Sequence, residues 1–164
     1  MNIFHHKKIK QLLIINYFLR NILEFQNCKK MLSNEIKFRV RYSETDQMQY
    51  AHHGNYAQYF EMGRIEWLRT LGVSYKKMEE NGMMLPVTNL NINFLKPARY
   101  DNLLTLKTTL ASKPSAKIIF NYELFFGNDL ITTASATLVF VNMETNKPTR
   151  PPKYLLEKIE EFFD

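Results

Sequence analysis

Cysteine and glycine are both scarce in this sequence of 164 residues, and each scarcity excludes a class of site. Cys28 is the only cysteine, so the chain has no internal disulfide framework and no zinc site made of several cysteines. The lone thiol favours a reducing compartment, and we expect a cytoplasmic protein. The five glycines form no Gly-x-Gly-x-x-Gly or Gly-Lys-Ser/Thr motif, so phosphate-binding loops of those kinds are unsupported.

Long hydrophobic runs are also missing, and positive charge is concentrated near the N-terminus. The apolar stretch at residues 12–19 contains Asn16 and is too short to cross a bilayer. Residues 1–30 contain six basic residues and one acidic residue, so residues 31–164 are nearly neutral. A nucleic-acid-binding domain usually has a basic face on its folded part, so this distribution argues against a nucleic-acid partner.

The difference in charge between residues 1–30 and residues 31–164 also predicts the domain organisation. We predict that residues 1–30 are an N-terminal extension, either from a misassigned start upstream of Met31 or as a basic amphipathic helix. Residues 31–164 are predicted to form the folded domain. Membrane contact is expected only if the extension belongs to the native protein.

Hydrophobic periodicity predicts one strand, one long helix and then four strands. Residues 36–42 alternate apolar and basic side chains, as a half-buried strand does. Apolar residues recur at helical spacing from Tyr56 to Leu71, and a shorter helix is predicted over residues 73–82. The later strands are predicted at residues 85–94, 103–111, 116–126 and 130–142, with a short helix at 154–163.

This order of elements predicts an α+β domain, in which one long helix packs on one face of an antiparallel sheet. Gly63 lies in the middle of that helix, where glycine has a propensity cost. A close approach between helix and sheet would explain it. The strand at 116–126 is apolar on both faces, so we expect it to be covered on both sides.

The residues suited to chemistry lie on the loop between the first strand and the long helix. Asp46 could act as a nucleophile or general base, and His53 could orient a substrate or relay a proton. The first amides of a helix lack intrahelical partners, so they could polarise a carbonyl oxygen. Taken singly, an aspartate such as Asp46 is more often a loop residue, and one histidine is more often a packing residue. Their combination on one strand-to-helix loop favours a site.

A metal centre is not predicted. His52 and His53 are adjacent, so on an extended loop their side chains would point apart. Asp46 and His53 alone are too few ligands for a structural zinc ion.

The segment Arg39-Val-Arg-Tyr-Ser-Glu-Thr-Asp46, followed by His53-Gly-Asn-Tyr56, resembles the opening of a family of hotdog-fold acyl-CoA thioesterases. The family is that of 4-hydroxybenzoyl-CoA thioesterase, with its Tol-Pal-associated and long-chain acyl-CoA relatives. The shared features are a Thr-Asp pair, a histidine seven residues later and an Asn-Tyr pair that opens a long helix. The resemblance extends over about residues 35–152 and implies a curved antiparallel sheet of about five strands wrapped around one long helix.

The resemblance also implies an activity, which is hydrolysis of an acyl-CoA thioester to the free acid and coenzyme A. It implies neither a metal nor an organic cofactor, and it implies a homodimer or homotetramer with sites between subunits. The residues implied at the site are Asp46 and His53 as catalytic groups, with Gly54, Asn55, Tyr56 and Glu61 stabilising the oxyanion or positioning the substrate. For Glu61, an ion pair with Arg64 on the helix surface is the competing interpretation.

One position departs from the family pattern. Gln49 stands where the family usually has a glycine, three residues after the aspartate. If that position needs a positive φ, a glutamine there is strained, and catalytic efficiency is in question. Gln49 keeps open one alternative, a non-catalytic module that binds acyl-CoA or acyl carrier protein. A second alternative is a hotdog enoyl-CoA hydratase or dehydratase, in which a histidine and an acid would transfer protons.

Overall fold

The computed structural model describes residues 33–160 and 162–163. The predicted extension at residues 1–30 lies outside this part of the chain. The described elements, in chain order, are β1 (Ser33–Arg39), a short 3-10 helix (Tyr42–Glu44), α1 (Asn55–Thr70), α2 (Tyr75–Glu80), β2 (Met83–Met84), β3 (Val87–Phe94), β4 (Leu103–Leu110), β5 (Lys117–Phe126), β6 (Asp129–Val139), β7 (Val141–Asn142), β8 (Lys147–Pro148) and α3 (Lys153–Glu160).

Five strands form one antiparallel sheet in the order β1-β4-β5-β6-β3. Side chains on β4, β5 and β6 alternate between buried and more exposed positions, so one face of the sheet is apolar. The long helix α1 packs against that face, where it contacts β1 and β4. The predicted α+β hotdog architecture is confirmed.

The core lies between α1 and the sheet, and large aromatic side chains fill it. Trp67 of α1 meets Phe120 of β5 edge to face, with ring centroids 5.2 Å apart. Phe60, about two helical turns closer to the loop, packs at a tilt on Tyr122 with ring centroids 4.7 Å apart. These four side chains are almost completely buried, so burial of their large apolar surface fixes the helix on the sheet.

At Gly63 the helix α1 lies very close to the sheet. A Cβ atom added at this glycine would lie 2.4 Å from Oγ1 of Thr108 and 2.7 Å from Cδ2 of Leu106. No side chain fits in that space, so the close approach predicted from the sequence is confirmed.

Several element boundaries differ from the predictions. The first strand ends at Arg39 rather than at residue 42, because Tyr42–Glu44 turn into a 3-10 helix. The last long strand ends at Val139, and residues 141–142 belong to a second sheet with the order β2-β7-β8. Strands of two residues have no periodicity, so the sequence does not reveal this small sheet.

The expectation that β5 is covered on both faces was wrong for the described chain. Its inward side chains are buried, whereas the opposite face is half-buried or exposed, as at Ile119 and Phe125. Within the described ranges, none of the helices combines the length and the apolar character that crossing a membrane requires.

Candidate active site

The loop between the 3-10 helix and α1 folds back on itself as a tight hairpin. Thr45 and Ala51 form an antiparallel bridge, and the Asp46 amide donates to the Tyr50 carbonyl at 2.9 Å. The Gln49 amide donates to the Asp46 carbonyl at 2.9 Å, and Gln49 has a φ of 64°. The position where the family usually has glycine therefore does need the left-handed conformation.

The two carboxylate oxygens of Asp46 have different surroundings. Its Oδ1 accepts hydrogen bonds from the amides of Met48 at 2.9 Å and Tyr50 at 3.3 Å. Its Oδ2 accepts none from the residues that the structure describes. Asp46 thus shapes the loop with one oxygen and leaves the other available to a bound molecule.

Three amides at the start of α1 already have acceptors. The Gly54 amide donates to Nδ1 of His52 at 3.2 Å. The amides of Asn55 and Tyr56 donate to the carbonyls of His52 and His53, at 2.9 and 3.3 Å. These amides are consequently less available to an oxyanion than the sequence suggests.

The His53 amide differs from its neighbours, because it donates no hydrogen bond within residues 33–160 and 162–163. The peptide between His52 and His53 is trans, so its N–H points away from its carbonyl. That carbonyl faces the first turn of α1 through its bond to the Asn55 amide. The His53 N–H therefore points away from the first turn of α1 and is available to a ligand.

A pocket of about 290 Å³ opens beside this loop. Three of the sequence-predicted site residues, Asp46, His53 and Tyr56, line it together. The other predicted residues, Gly54, Asn55 and Glu61, are not among its lining residues. The full lining is Asp46, Met48, Tyr50, Ala51, His53, Tyr56, Phe94, Leu95, Lys96 and Pro97.

Tyr56 forms the inner wall of the pocket. Its ring meets Phe94 edge to face, with centroids 4.9 Å apart. Burial raises the pKa of the Tyr56 hydroxyl, and the Ala98 backbone and the Thr132 hydroxyl, which face the phenol oxygen, oppose that shift. Tyr56 is therefore neutral at physiological pH. It contributes an apolar ring and a hydroxyl that can form hydrogen bonds, but no charge.

Glu61 lies on an exposed part of α1 and its carboxylate is 3.6 Å from Nη2 of Arg64. This i,i+3 ion pair on the helix surface is the alternative role that the sequence analysis gives for Glu61. The assignment of Glu61 to the site stays a prediction.

The expectation that the two histidines point apart was wrong. Their ring centroids are 4.1 Å apart, with the planes inclined by 35°. The reason is local backbone conformation, since His53 and Gly54 form a turn that leads into α1 rather than an extended segment. Among the residues that the structure describes, no three His, Cys, Asp or Glu side chains form a group that could hold a metal ion. A metal-free site stays a prediction.

The far wall of the pocket comes from the connection between β3 and β4, which the sequence analysis did not assign to the site. The Ala51 amide donates to the Ala98 carbonyl at 2.9 Å, and Tyr50 forms a bridge with Arg99. The Arg99 guanidinium also lies over the Tyr50 ring, 4.8 Å from its centroid. These contacts join the Asp46 hairpin to a segment about fifty residues away, which no local sequence pattern could reveal.

Glu44 is another part of the site region whose importance the sequence did not reveal. It is buried although it is charged, and its carboxylate accepts a hydrogen bond from the Tyr59 hydroxyl at 2.9 Å. Burial and this neighbouring carboxylate raise the pKa of Tyr59 above its ordinary range. The sequence signal was weak, because an acidic residue within a polar loop is usually solvated.

The site therefore combines a carboxylate oxygen, a backbone N–H and an apolar wall around one cavity. A carboxylate can attack a carbonyl carbon or deprotonate a water molecule, and an N–H can stabilise the oxyanion that forms. Such a set suits acyl transfer to water.

Comparisons with known proteins agree with this arrangement. A profile of the thioesterase-like superfamily matches residues 40–159. The chain is 32% identical over 113 residues to YneP of Bacillus subtilis, covering 68% of this chain and 82% of that protein. It is 31% identical over 126 residues to the acyl-CoA thioesterase YbgC of Haemophilus influenzae, covering 75% of this chain and 93% of the relative.

Solved structures give the same result. The DHNA-CoA thioesterase of Staphylococcus aureus superposes with a TM-score of 0.73 at 34% identity, covering 80% of this chain and 88% of that one. The profile covers well over half of the chain, and it includes the hairpin, the long helix and all strands of the main sheet except β1. The chain belongs to the thioesterase-like superfamily.

Proposed function

We propose that this protein hydrolyses acyl-CoA thioesters to the free acid and coenzyme A. The observation that carries the proposal is the pairing of two unused groups on one loop beside one pocket. Among residues 33–160 and 162–163, Asp46 has a carboxylate oxygen without a donor and His53 has an amide without an acceptor. The names of the relatives from Haemophilus influenzae and Staphylococcus aureus support the same reaction class.

In the proposed reaction the thioester carbonyl oxygen accepts a hydrogen bond from the His53 N–H. Asp46 then acts in one of two ways. Its free oxygen takes a proton from water while the water oxygen attacks the carbonyl carbon, or that oxygen attacks the carbon itself and forms an anhydride that water opens. In both routes the carbon–sulfur bond breaks, coenzyme A leaves as a thiolate, and the thiolate gains a proton.

The acyl group is proposed to lie against the apolar wall of the pocket. Tyr50, Tyr56 and Phe94 contribute aromatic surface, and Met48 and Leu95 contribute flexible aliphatic surface. The cavity of about 290 Å³ is at the small end of ligand sites, which generally span roughly 300–1,000 Å³.

The test is thiol release by the full chain from a panel of acetyl-, hexanoyl-, palmitoyl- and benzoyl-CoA, with a parallel assay for hydration of crotonyl-CoA. Saturable release of coenzyme A from one or more thioesters supports the proposal. Hydration of crotonyl-CoA without thiol release would favour the hydratase alternative. Tight binding of acyl-CoA with neither reaction would favour the non-catalytic binding module.

We also propose that two copies associate through the outer edge of β3. This strand ends one side of the sheet, and it exposes Val87, Leu90 and Phe94. An unpaired strand edge with apolar side chains is a natural site for pairing with another strand. Phe94 also lines the pocket, so a copy bound at this edge would lie next to the site.

The remaining expectations concern cofactor and location. We expect neither a metal nor an organic cofactor, because the proposed steps need only a carboxylate, an amide and water. The single cysteine, Cys28, favours a reducing compartment, and we expect the protein in the cytoplasm.

A further inference from the structure

Glu44 is a charged residue buried where the loop begins, and only 5% of its surface is exposed. Burial of a carboxylate is costly unless donors surround it, so the donors around it indicate what the carboxylate holds in place. Glu44 is not among the lining residues of the pocket, so it does not touch a ligand there.

The carboxylate of Glu44 connects the segment that follows β1 with the second turn of α1. Its Oε2 accepts from the Arg41 amide at 2.7 Å and from the Tyr59 hydroxyl at 2.9 Å. Its Oε1 accepts from Nε of Arg41 at 2.9 Å and lies 2.9 Å from Nη2 of the same guanidinium. Both oxygens thus have two donors each, and the side chain has one well-defined position.

The backbone of Glu44 connects the two ends of the active-site hairpin. Its carbonyl accepts from the His52 amide at 2.8 Å and from Nδ2 of Asn55 at 2.8 Å. Asp46 lies two residues after Glu44, and His53 directly follows His52. The relative positions of the Asp46 carboxylate and the His53 amide therefore depend on where Glu44 is held.

We propose that Glu44 is a positioning residue, whose buried carboxylate sets the distance between the Asp46 oxygen and the His53 amide through Arg41, Tyr59 and its own carbonyl. The inference rests on the proposed thioesterase function. Glu44 acts through its neighbours, so its contribution falls on the chemical step rather than on binding of coenzyme A.

The main test is Glu44→Gln, which keeps the size and shape of the side chain. The NH₂ group of glutamine cannot accept a hydrogen bond. In either orientation of the amide, this group would face a donor of Arg41 or Tyr59. We expect kcat to fall about 10- to 100-fold, because misplacement by about 1 Å costs up to about 100-fold in rate. We expect KM to change less than about threefold, since the groups lining the pocket are unchanged.

Two further variants separate positioning from folding. Tyr59→Phe removes one donor to the same carboxylate, and we expect a smaller fall in kcat in the same direction, with KM again unchanged. Glu123→Gln is the matched control, because Glu123 is a half-exposed carboxylate whose 2.8 Å ion pair with Lys107 lies between two strands. Its kcat and KM should equal those of the native protein.

The decisive measurement is Glu44→Gln combined with Asp46→Asn. If Glu44 positions Asp46, its substitution should cost no more than about threefold in kcat once Asp46 has lost its carboxylate. An equal loss in both backgrounds, or an unchanged kcat with a lowered melting temperature, would overturn the positioning role and leave the proposed function intact. An absence of turnover by the native chain would instead overturn the proposed function and this inference together.

Discussion

At the scale of single residues, Gln49 stands where the family usually has glycine, and the backbone conformation there explains the family's preference. The backbone there has a φ of 64°, a conformation that costs a residue with a Cβ atom roughly 1–2 kcal/mol. The hydrogen bond from its amide to the Asp46 carbonyl keeps it in that conformation. The chain thus retains the loop geometry that glycine usually provides, at some cost in stability.

Replacing Gln49 with glycine should therefore stabilise the protein. We expect Gln49→Gly to raise the free energy of unfolding by about 1 kcal/mol and the melting temperature by about 3 °C. Gln47→Gly is the matched control, because Gln47 lies in the same loop and is not among the residues with positive φ. That control should lower the free energy of unfolding by about 0.5–1 kcal/mol. Thermal denaturation followed by circular dichroism measures both, and a lower melting temperature for Gln49→Gly would contradict the strain argument.

Part of the site could be predicted at this scale. Asp46, His53 and Tyr56 could be assigned from their spacing, and the structure brings all three to one pocket. The choice among backbone donors could not be predicted, because it depends on which amides already have acceptors. Glu44 was not identified either, since the sequence does not show whether an acid in a polar loop is buried.

At the scale of elements, the contact between α1 and β4 depends on Gly63. Alanine favours a helix interior over glycine by about 1 kcal/mol, so propensity alone would make Gly63→Ala stabilising. The added Cβ atom would instead lie 2.4 Å from Oγ1 of Thr108 and 2.7 Å from Cδ2 of Leu106, so these two buried side chains or the helix would have to shift. Packing therefore opposes propensity at this position.

We expect packing to prevail. Gly63→Ala should lower the free energy of unfolding by about 2 kcal/mol, which is within the usual cost of overfilling a packed core. Gln58→Ala, at an exposed position of the same helix, is the control and should change stability by less than about 0.5 kcal/mol. Chemical denaturation measures both values. Stabilisation by Gly63→Ala would show that the helix and sheet are less closely packed than described.

The elements themselves were predicted to different degrees. The long helix and the strands β3 to β6 have strong periodicity, and their predicted bounds agree with the structure to within a few residues. The strand β1 ends earlier than predicted, because Glu44 draws Arg41 and the following turn toward α1. The two-residue strands of the second sheet depend on tertiary contacts, so they were not predictable from local pattern.

At the scale of the whole molecule, the β3 edge is the proposed interface between two copies. Leu90 is 37% exposed on this edge, so Leu90→Lys should leave the fold of one copy intact and place a charge in the interface. We expect this variant to shift the protein from dimer toward monomer in size-exclusion chromatography with light scattering. Asn34→Lys adds the same charge to β1, at the opposite edge of the sheet, and should leave the assembly unchanged. A Leu90→Lys protein that remains dimeric would contradict the assignment of the interface.

The most direct test of the central claim compares thiol release by the native chain, Asp46→Asn and Asp46→Ala. Asparagine can still accept the two loop hydrogen bonds that Oδ1 of Asp46 accepts, but it lacks the free carboxylate oxygen. Asp46→Asn should therefore keep a native melting temperature and lose at least about 100-fold in kcat, the usual contribution of a general base. Asp46→Ala should lose both activity and stability. If Asp46→Asn retained most of the native kcat, Asp46 would be a loop residue only, and the proposed catalytic role would be wrong.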